Sequence, residues 1–225
     1  MNLFGLDFET NGLNPYFHDP IEVAIKQLFQ EHNFQTLILP KIDPQKPRAG
    51  GVKQIVPDKI VELTGITDEH LLKEGISNEH AIHRLLNYIY EHASKDTNPI
   101  YIIAHNGTVF DFLFLKRMMK QGNIRSNSTR FGGKDEQLFK MTQRFRYIDT
   151  LLLAKLYLKD ERVSQHNLCK RYNIVNDSEH RALGDVVTLE KIFIIMCGEV
   201  ASILKKRKDY FLINPDKICK RLMFE

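Results

Sequence analysis

The sequence predicts a mixed α/β fold in which an antiparallel strand meander leads into strands that alternate with helices. Three observations carry that prediction. Three strand-like segments lie close together before residue 40, joined by short polar turns. Two later apolar segments, "PIYIIAH" and "FRYIDT", each run into a helical pattern. At 225 residues the chain can build one such domain with a proper core, its sheet flanked by helices.

Each element has a local reason. Residues 2–8 read as a buried strand, with "GLNP" as the turn after it. "IEVAIKQLFQ" and "FQTLILP" read as two further strands around a hairpin turn at "EHN". Pro40, Pro44, Pro47, Gly50, Gly51 and Pro57 mark residues 40–58 as a loop long enough for a functional flap. "DKIVELTGITDEHLLKEG" reads as two short helical pieces broken at Gly65. Ser77 suits the N-cap of a helix whose apolar positions Ile82, Leu85, Leu86 and Ile89 follow the 3.6-residue period. "FDFLFLKRMMKQG" is a helix stopped by Gly122, and residues 122–142 form a polar, glycine-containing stretch. A helix then starts near Leu151, another covers "NLCKRY", and a long final helix begins near Ala182.

Composition narrows the setting. A net charge of +4 suits a polyanionic partner without requiring one. Cys169, Cys197 and Cys219 are widely spaced and form no CxxC, which argues against a disulfide framework or zinc site and for a reducing intracellular compartment. Acidic residues near the start interrupt the apolar run a signal peptide needs. No apolar run approaches the ~18 to 20 residues of a membrane span, and "IFIIMCGEVASIL" reads as a core helix.

The chemistry begins in "LDFETNGL". Residues two apart on a strand share a face, so Asp7 and Glu9 project together from one side. Two such carboxylates repel unless a cation or a proton neutralises them. Asp111 opens a helix directly after a buried strand, where an acid also favours the helix N-terminus electrostatically. In "NDSEHRALGDV", His180 and Asp185 would diverge by roughly 140° within one regular helix. A helix starting near Ala182 instead leaves His180 on the incoming loop, free to fold back beside Asp185. Together these residues supply what two-metal phosphoryl chemistry requires: clustered carboxylates for divalent ions, and a base that titrates near neutrality.

These segments carry a resemblance to the DEDDh 3′→5′ exonucleases, of the DnaQ-like, ribonuclease H-like superfamily. It spans about residues 1–197, through "LDFETNGL", "ELTGITDEHL", "AHNGTVFDFLFL", "YIDTLLLAKLYL" and "NLCKRYNI…HRALGDV" in order. The resemblance implies a ribonuclease H-like mixed sheet and a catalytic set of Asp7, Glu9, Asp111, His180 and Asp185. It assigns Asp7 as the bridge between two Mg²⁺ or Mn²⁺ ions, and Glu9 and Asp185 to the first of them. Asp111 would act through water, with His180 as general base. Thr10, Leu13, Asn106 and Phe110 match positions that line the site of the 3′-terminal nucleotide, Leu13 as an apolar wedge; for Phe110, plain core packing is the competing reading. "HNGTVFD" has one residue more between Asn and Asp than bacterial proofreading subunits usually have, and is spaced as in three-prime repair exonucleases.

The resemblance implies release of nucleoside 5′-monophosphates from DNA, single-stranded or at frayed 3′ ends. An RNA-directed exoribonuclease and a non-catalytic, polymerase-associated nucleic-acid-binding module are the alternatives. The expected partner is nucleic acid with a free 3′ end, with a polymerase or other replication or repair protein as a further one, and no membrane. Lys120, Arg125 and Arg130 suit a strand-contacting loop, and "LKKRK" at 204–208 suits nucleic-acid binding or nuclear import, though a solvated loop and a solvated helix end explain them as well. Residues 1–198 are expected to form the exonuclease domain, with 199–225 a basic C-terminal helix or tail on it.

Overall fold

The structure, a computed structural model, describes residues 2–40, 55–125, 134–158, 162–176 and 178–222. The meander is β1 (Leu3–Thr10), β2 (Pro20–Gln27) and β3 (Asn33–Leu39). Two short helices, α1 (Asp58–Thr64) and α2 (Asp68–Glu74), then lead through β4 (Ile76–Ser77) into α3 (Asn78–His92). The alternating half follows as β5 (Ile100–Ala104), α4 (Asp111–Gln121), α5 (Lys134–Thr142), β6 (Phe145–Asp149) and α6 (Thr150–Leu158). The chain closes with α7 (Gln165–Tyr172), α8 (Ala182–Ile203), α9 (Tyr210–Ile213) and α10 (Asp216–Leu222).

The sheet order is β4-β3-β2-β1-β5-β6. β2 runs antiparallel to both β1 and β3, while β5 is parallel to β1 and to β6. This is the mixed sheet the sequence predicts. β1 lies near its centre, and its alternate residues serve two cores. Phe4, Leu6 and Phe8 pack into a core shared with Ile82, Leu86 and Phe114 of α3 and α4. Leu3 faces a second core built with Phe193, Met196 and Val200 of α8. Gly5 lies on Leu3's side, where an added Cβ would stand 3.1 Å from Val186 of α8. α8 therefore packs so closely on β1 that a Cβ at this position would make its neighbours give way by a few tenths of an ångström.

Local signals explain most boundaries. The Ser77 side chain accepts from the His80 N–H at the start of α3, as its sequence position predicts. α1 stops at Gly65 in the left-handed conformation. Several details differ from the sequence reading. β1 continues two residues further, to Thr10, across a register shift between Glu9 and Thr10. The polar stretch 122–142 contains α5, whose Leu138 and Met141 are buried against the first core; nine residues with few apolar positions give little periodicity. β4, at two residues, is too short to leave a pattern. α8 is not the last helix, because α9 and α10 follow and bury Phe211, Ile218 and Cys219 in the second core, α10 lying along β6. Residues 41–54 of the long loop, Arg130, and Met223–Glu225 lie outside the described residues. No helix among the described residues is long and apolar enough to cross a membrane.

Phe193 is fully buried at the α8–sheet contact. Phe193→Ala is expected to cost about 3–5 kcal/mol through lost transfer energy and a residual cavity. Urea denaturation would read this as a lower midpoint at an unchanged slope.

Candidate active site

Strand alternation places Asp7 and Glu9 on the face of β1 that carries Leu3 and Gly5, the face turned toward α8. α8 brings Asp185 in its first turn. Carboxylate oxygens of Asp7, Glu9 and Asp185 lie within 4.8 Å of one another. Asp111, in the first turn of α4, is buried outside this trio, and its Oδ1 accepts from the Phe8 N–H at 3.1 Å. That bond ties α4 to the residue between the two strand acids.

His180 lies two residues before α8 in the left-handed conformation (φ 65°), and its N–H donates to Asp185 Oδ2 at 3.0 Å. A turn thus spans the separation that a continuous helix could not. Asp185 Oδ1 accepts from Asn176 Nδ2 at 2.9 Å and Gln165 Nε2 at 3.0 Å. Gly184 lets the turn fold this tightly, since a Cβ there would stand 2.5 Å from the Ser178 carbonyl. Asp7, Glu9, His180 and Asp185 line a cavity of about 800 Å³ together with α7 and the segment after it, including His166, Lys170 and Val175.

Burial and mutual repulsion set the charge state. Asp7 is held well above the usual carboxylate range, first by removal from water and then by Asp111, Glu9, Asp185 and Glu22. Glu9 is pushed up to about 8, by burial and then by Asp185, Glu22 and Asp111. Asp111 is also pushed up to about 8 by burial, against the lowering effect of its backbone hydrogen bonds. Asp185 is raised by burial, partly opposed by Asn176 and the His180 N–H. Among the described residues, no protein donor hydrogen-bonds to the carboxylates of Asp7 or Glu9. Such an all-oxygen set, crowded and short of donors, fits a hard divalent cation.

The positions expected near a nucleotide differ among themselves. Leu13 is exposed, whereas Thr10 is buried and its hydroxyl donates to the Gly12 carbonyl at 2.7 Å. Asn106 is exposed in the left-handed conformation, its N–H donating to Asp149 Oδ1 at 3.0 Å. Phe110 is half-buried, edge-on to Phe114 at 5.0 Å between ring centres, so it packs on the first core.

Two further acids escape the sequence reading. Glu22, opposite Glu9 on β2, is 1% exposed and accepts from Arg181 Nη2 (2.7 Å), the Ala182 N–H (3.0 Å) and Gln35 Nε2 (2.8 Å). It anchors the start of α8 to the sheet. Asp149 accepts from the N–H groups of Asn106, Thr108 and Leu151, fixing the loop between β5 and α4. An acid inside the apolar run "PIEVAI" and the "DT" pair at a helix start were the available signals.

The family profile for RNase T exonucleases matches residues 4–193. The chain belongs to the RNase T exonuclease family. The resemblance to the DEDDh 3′→5′ exonucleases is thereby borne out, and with it the expectation of an enzyme that hydrolyses phosphodiesters. This exonuclease is 29% identical over 194 residues to the PolC-type DNA polymerase III of Mycoplasma genitalium, covering 83% of the chain but only 11% of that polymerase. It is 28% identical over 209 residues to the DNA polymerase III subunit epsilon of Buchnera aphidicola, covering 88% of the chain and 71% of the subunit. In fold it is similar to E. coli exonuclease I in complex with a dT13 oligonucleotide, with a TM-score of 0.63 at 16% identity, over 90% of this chain and 42% of that one.

A pH dependence follows from the acids. Glu9 and Asp111 titrate near 8 in the folded chain without ions, against about 4 when unfolded. Between those values the folded state binds more protons, so this contribution to stability is full below pH ~4 and lost as pH rises through about 8. Thermal denaturation in EDTA should show a melting temperature falling from pH ~5 to pH ~8. A rising one would mean that the acids ionise freely in the fold.

Proposed function

We propose that the enzyme removes nucleotides one at a time from the 3′ end of DNA, single-stranded or frayed, releasing nucleoside 5′-monophosphates. The observation that carries this reading is the convergence of Asp7, Glu9 and Asp185 within 4.8 Å, on a cavity that His180 also lines. Asp7, Glu9 and Asp185 would hold two Mg²⁺ or Mn²⁺ ions directly, with Asp111 acting at one remove across a water. When bound, the ions supply a more acidic attacking water and charge stabilisation on the leaving 3′ oxygen.

The protein's own part is positioning and proton transfer. His180 takes the proton from the attacking water as general base. The hydrogen bond from its backbone to Asp185 keeps its turn seated beside the acids, so geometry is set before substrate arrives. DNA is favoured over RNA because the named relatives include DNA polymerase chains, and the similar fold of exonuclease I was seen with an oligothymidylate. Those relatives also make a polymerase a reasonable partner.

A gel assay on 5′-labelled DNA and RNA oligonucleotides, single- and double-stranded, tests the reading. Laddering from the 3′ end should be lost in Asp7→Asn and Glu9→Gln, and His180→Ala should lower kcat by about 10²- to 10⁴-fold. Cleavage that survives both acid substitutions would sink the assignment. Faster laddering of RNA than of DNA would move the substrate class.

Mg²⁺ or Mn²⁺ should raise the melting temperature, more at pH ~8 than at pH ~5.5, because ion binding must displace protons from the raised acids. A melting temperature unmoved by EDTA would count against a preformed ion site.

A further inference from the structure

The loop between β1 and β2 is the least explained part of the molecule. Glu9 pairs with Glu22 and Thr10 with Pro20, so residues 11–19 close the hairpin at the same end of the sheet as the acids. Tyr16 is 77% exposed, Phe17 83% and Leu13 82%. Large apolar groups turned to water in one short loop mark a binding surface more often than chance. Neither aromatic ring stacks on another ring among the described residues.

The backbone beneath these rings is nonetheless tightly held. The Arg117 guanidinium, reaching across from α4, donates to the Pro15 carbonyl (2.5 Å), the His18 carbonyl (2.6 Å) and Asp19 Oδ1 (3.1 Å). The Asn14 side chain accepts from the Tyr16 N–H at 2.9 Å, and the Asn14 carbonyl accepts from the N–H groups of Phe17 and His18. His18 Nδ1 accepts in turn from the Asn14 N–H at 3.0 Å. The helix that clamps the loop is the one that begins with Asp111, so the rings and that acid share one rigid support. A fixed backbone that displays unpartnered rings at the acids' end of the sheet can receive a flat partner at low entropic cost.

We propose that Tyr16 and Phe17 form a stacking platform for unpaired bases of the strand whose 3′ end lies at the acids, and that this platform sets a preference for single strands. The proposal rests on the function proposed above. Every base offers a π-face, so stacking is tolerant of sequence and contributes about 1–3 kcal/mol per base. In a duplex those faces are covered, and the platform has nothing to bind until the end frays.

The test compares the parent chain with the Tyr16→Ala/Phe17→Ala double variant, and with Tyr16→Phe and Phe17→Tyr. Kinetics with Mg²⁺ on a long oligothymidylate, its RNA counterpart, a dinucleotide and a blunt duplex give KM and kcat. Fluorescence anisotropy of a labelled oligothymidylate in EDTA gives affinity without cleavage. The double variant should raise KM and Kd for the long strand roughly tenfold or more, with kcat changed less than about twofold. The effect should fade on the dinucleotide and narrow the preference for single strand over duplex, while the ring-retaining variants stay near the parent. Unchanged Kd and KM would overturn the platform. So would a kcat loss equal on every substrate. If the parent cleaves neither polymer, the proposed function fails, and the anisotropy arm still decides the platform.

Discussion

Carboxylates crowded together in a half-buried place repel one another, and much of the structure answers to that repulsion. Asp7 and Glu9 cannot retreat, because β2 pairs with β1 along this stretch, Asp111 holds the Phe8 N–H on the other side, and the opposite face of β1 is locked into the first core. Asp185 is carried in by a helix seated against Gly5, and its oxygens are held by donors from three segments. Asp111 is pinned by a main-chain donor from β1 itself. With no freedom to separate, the acids can relax only by binding protons or a cation. The fold thus converts backbone rigidity into affinity for positive charge.

Buried acids elsewhere in the chain show the contrasting case. Glu22 and Asp149 are as deeply buried, yet both are surrounded by N–H donors from protein. Such carboxylates are satisfied and act as anchors, one for the start of α8 and one for the loop ahead of α4. Asp7 and Glu9 lack comparable donors among the described residues. Hydrogen-bond satisfaction, more than burial, separates the acids that hold the architecture from those open to an ion.

Local pattern made much of this legible. Strand alternation alone put Asp7 and Glu9 on one face, and the expected helix start near Ala182 freed His180 to turn back on Asp185. The meander and Ser77's cap were readable for the same reason: they depend on neighbours in sequence. Glu22 was not readable, because its role depends on the register between β1 and β2 and on a residue far along the chain. Arg117 sits in a helix whose periodicity gives no sign that its guanidinium will span to the β1–β2 loop. α5, α9 and β4 were too short for periodicity to announce them.

The segment after α8 reads in sequence as a basic helix or tail on the domain, and its α10 lies along β6, which is the last strand of the sheet. A parallel sheet that ends in an open strand presents unpaired main-chain groups able to recruit a strand from another molecule. α10 seats Ile218 and Cys219 in the second core and packs beside that last strand. The charged residues around those two positions keep its outer surface in water. What looks like an appendage therefore belongs to the packed body of the chain, seated where the sheet ends.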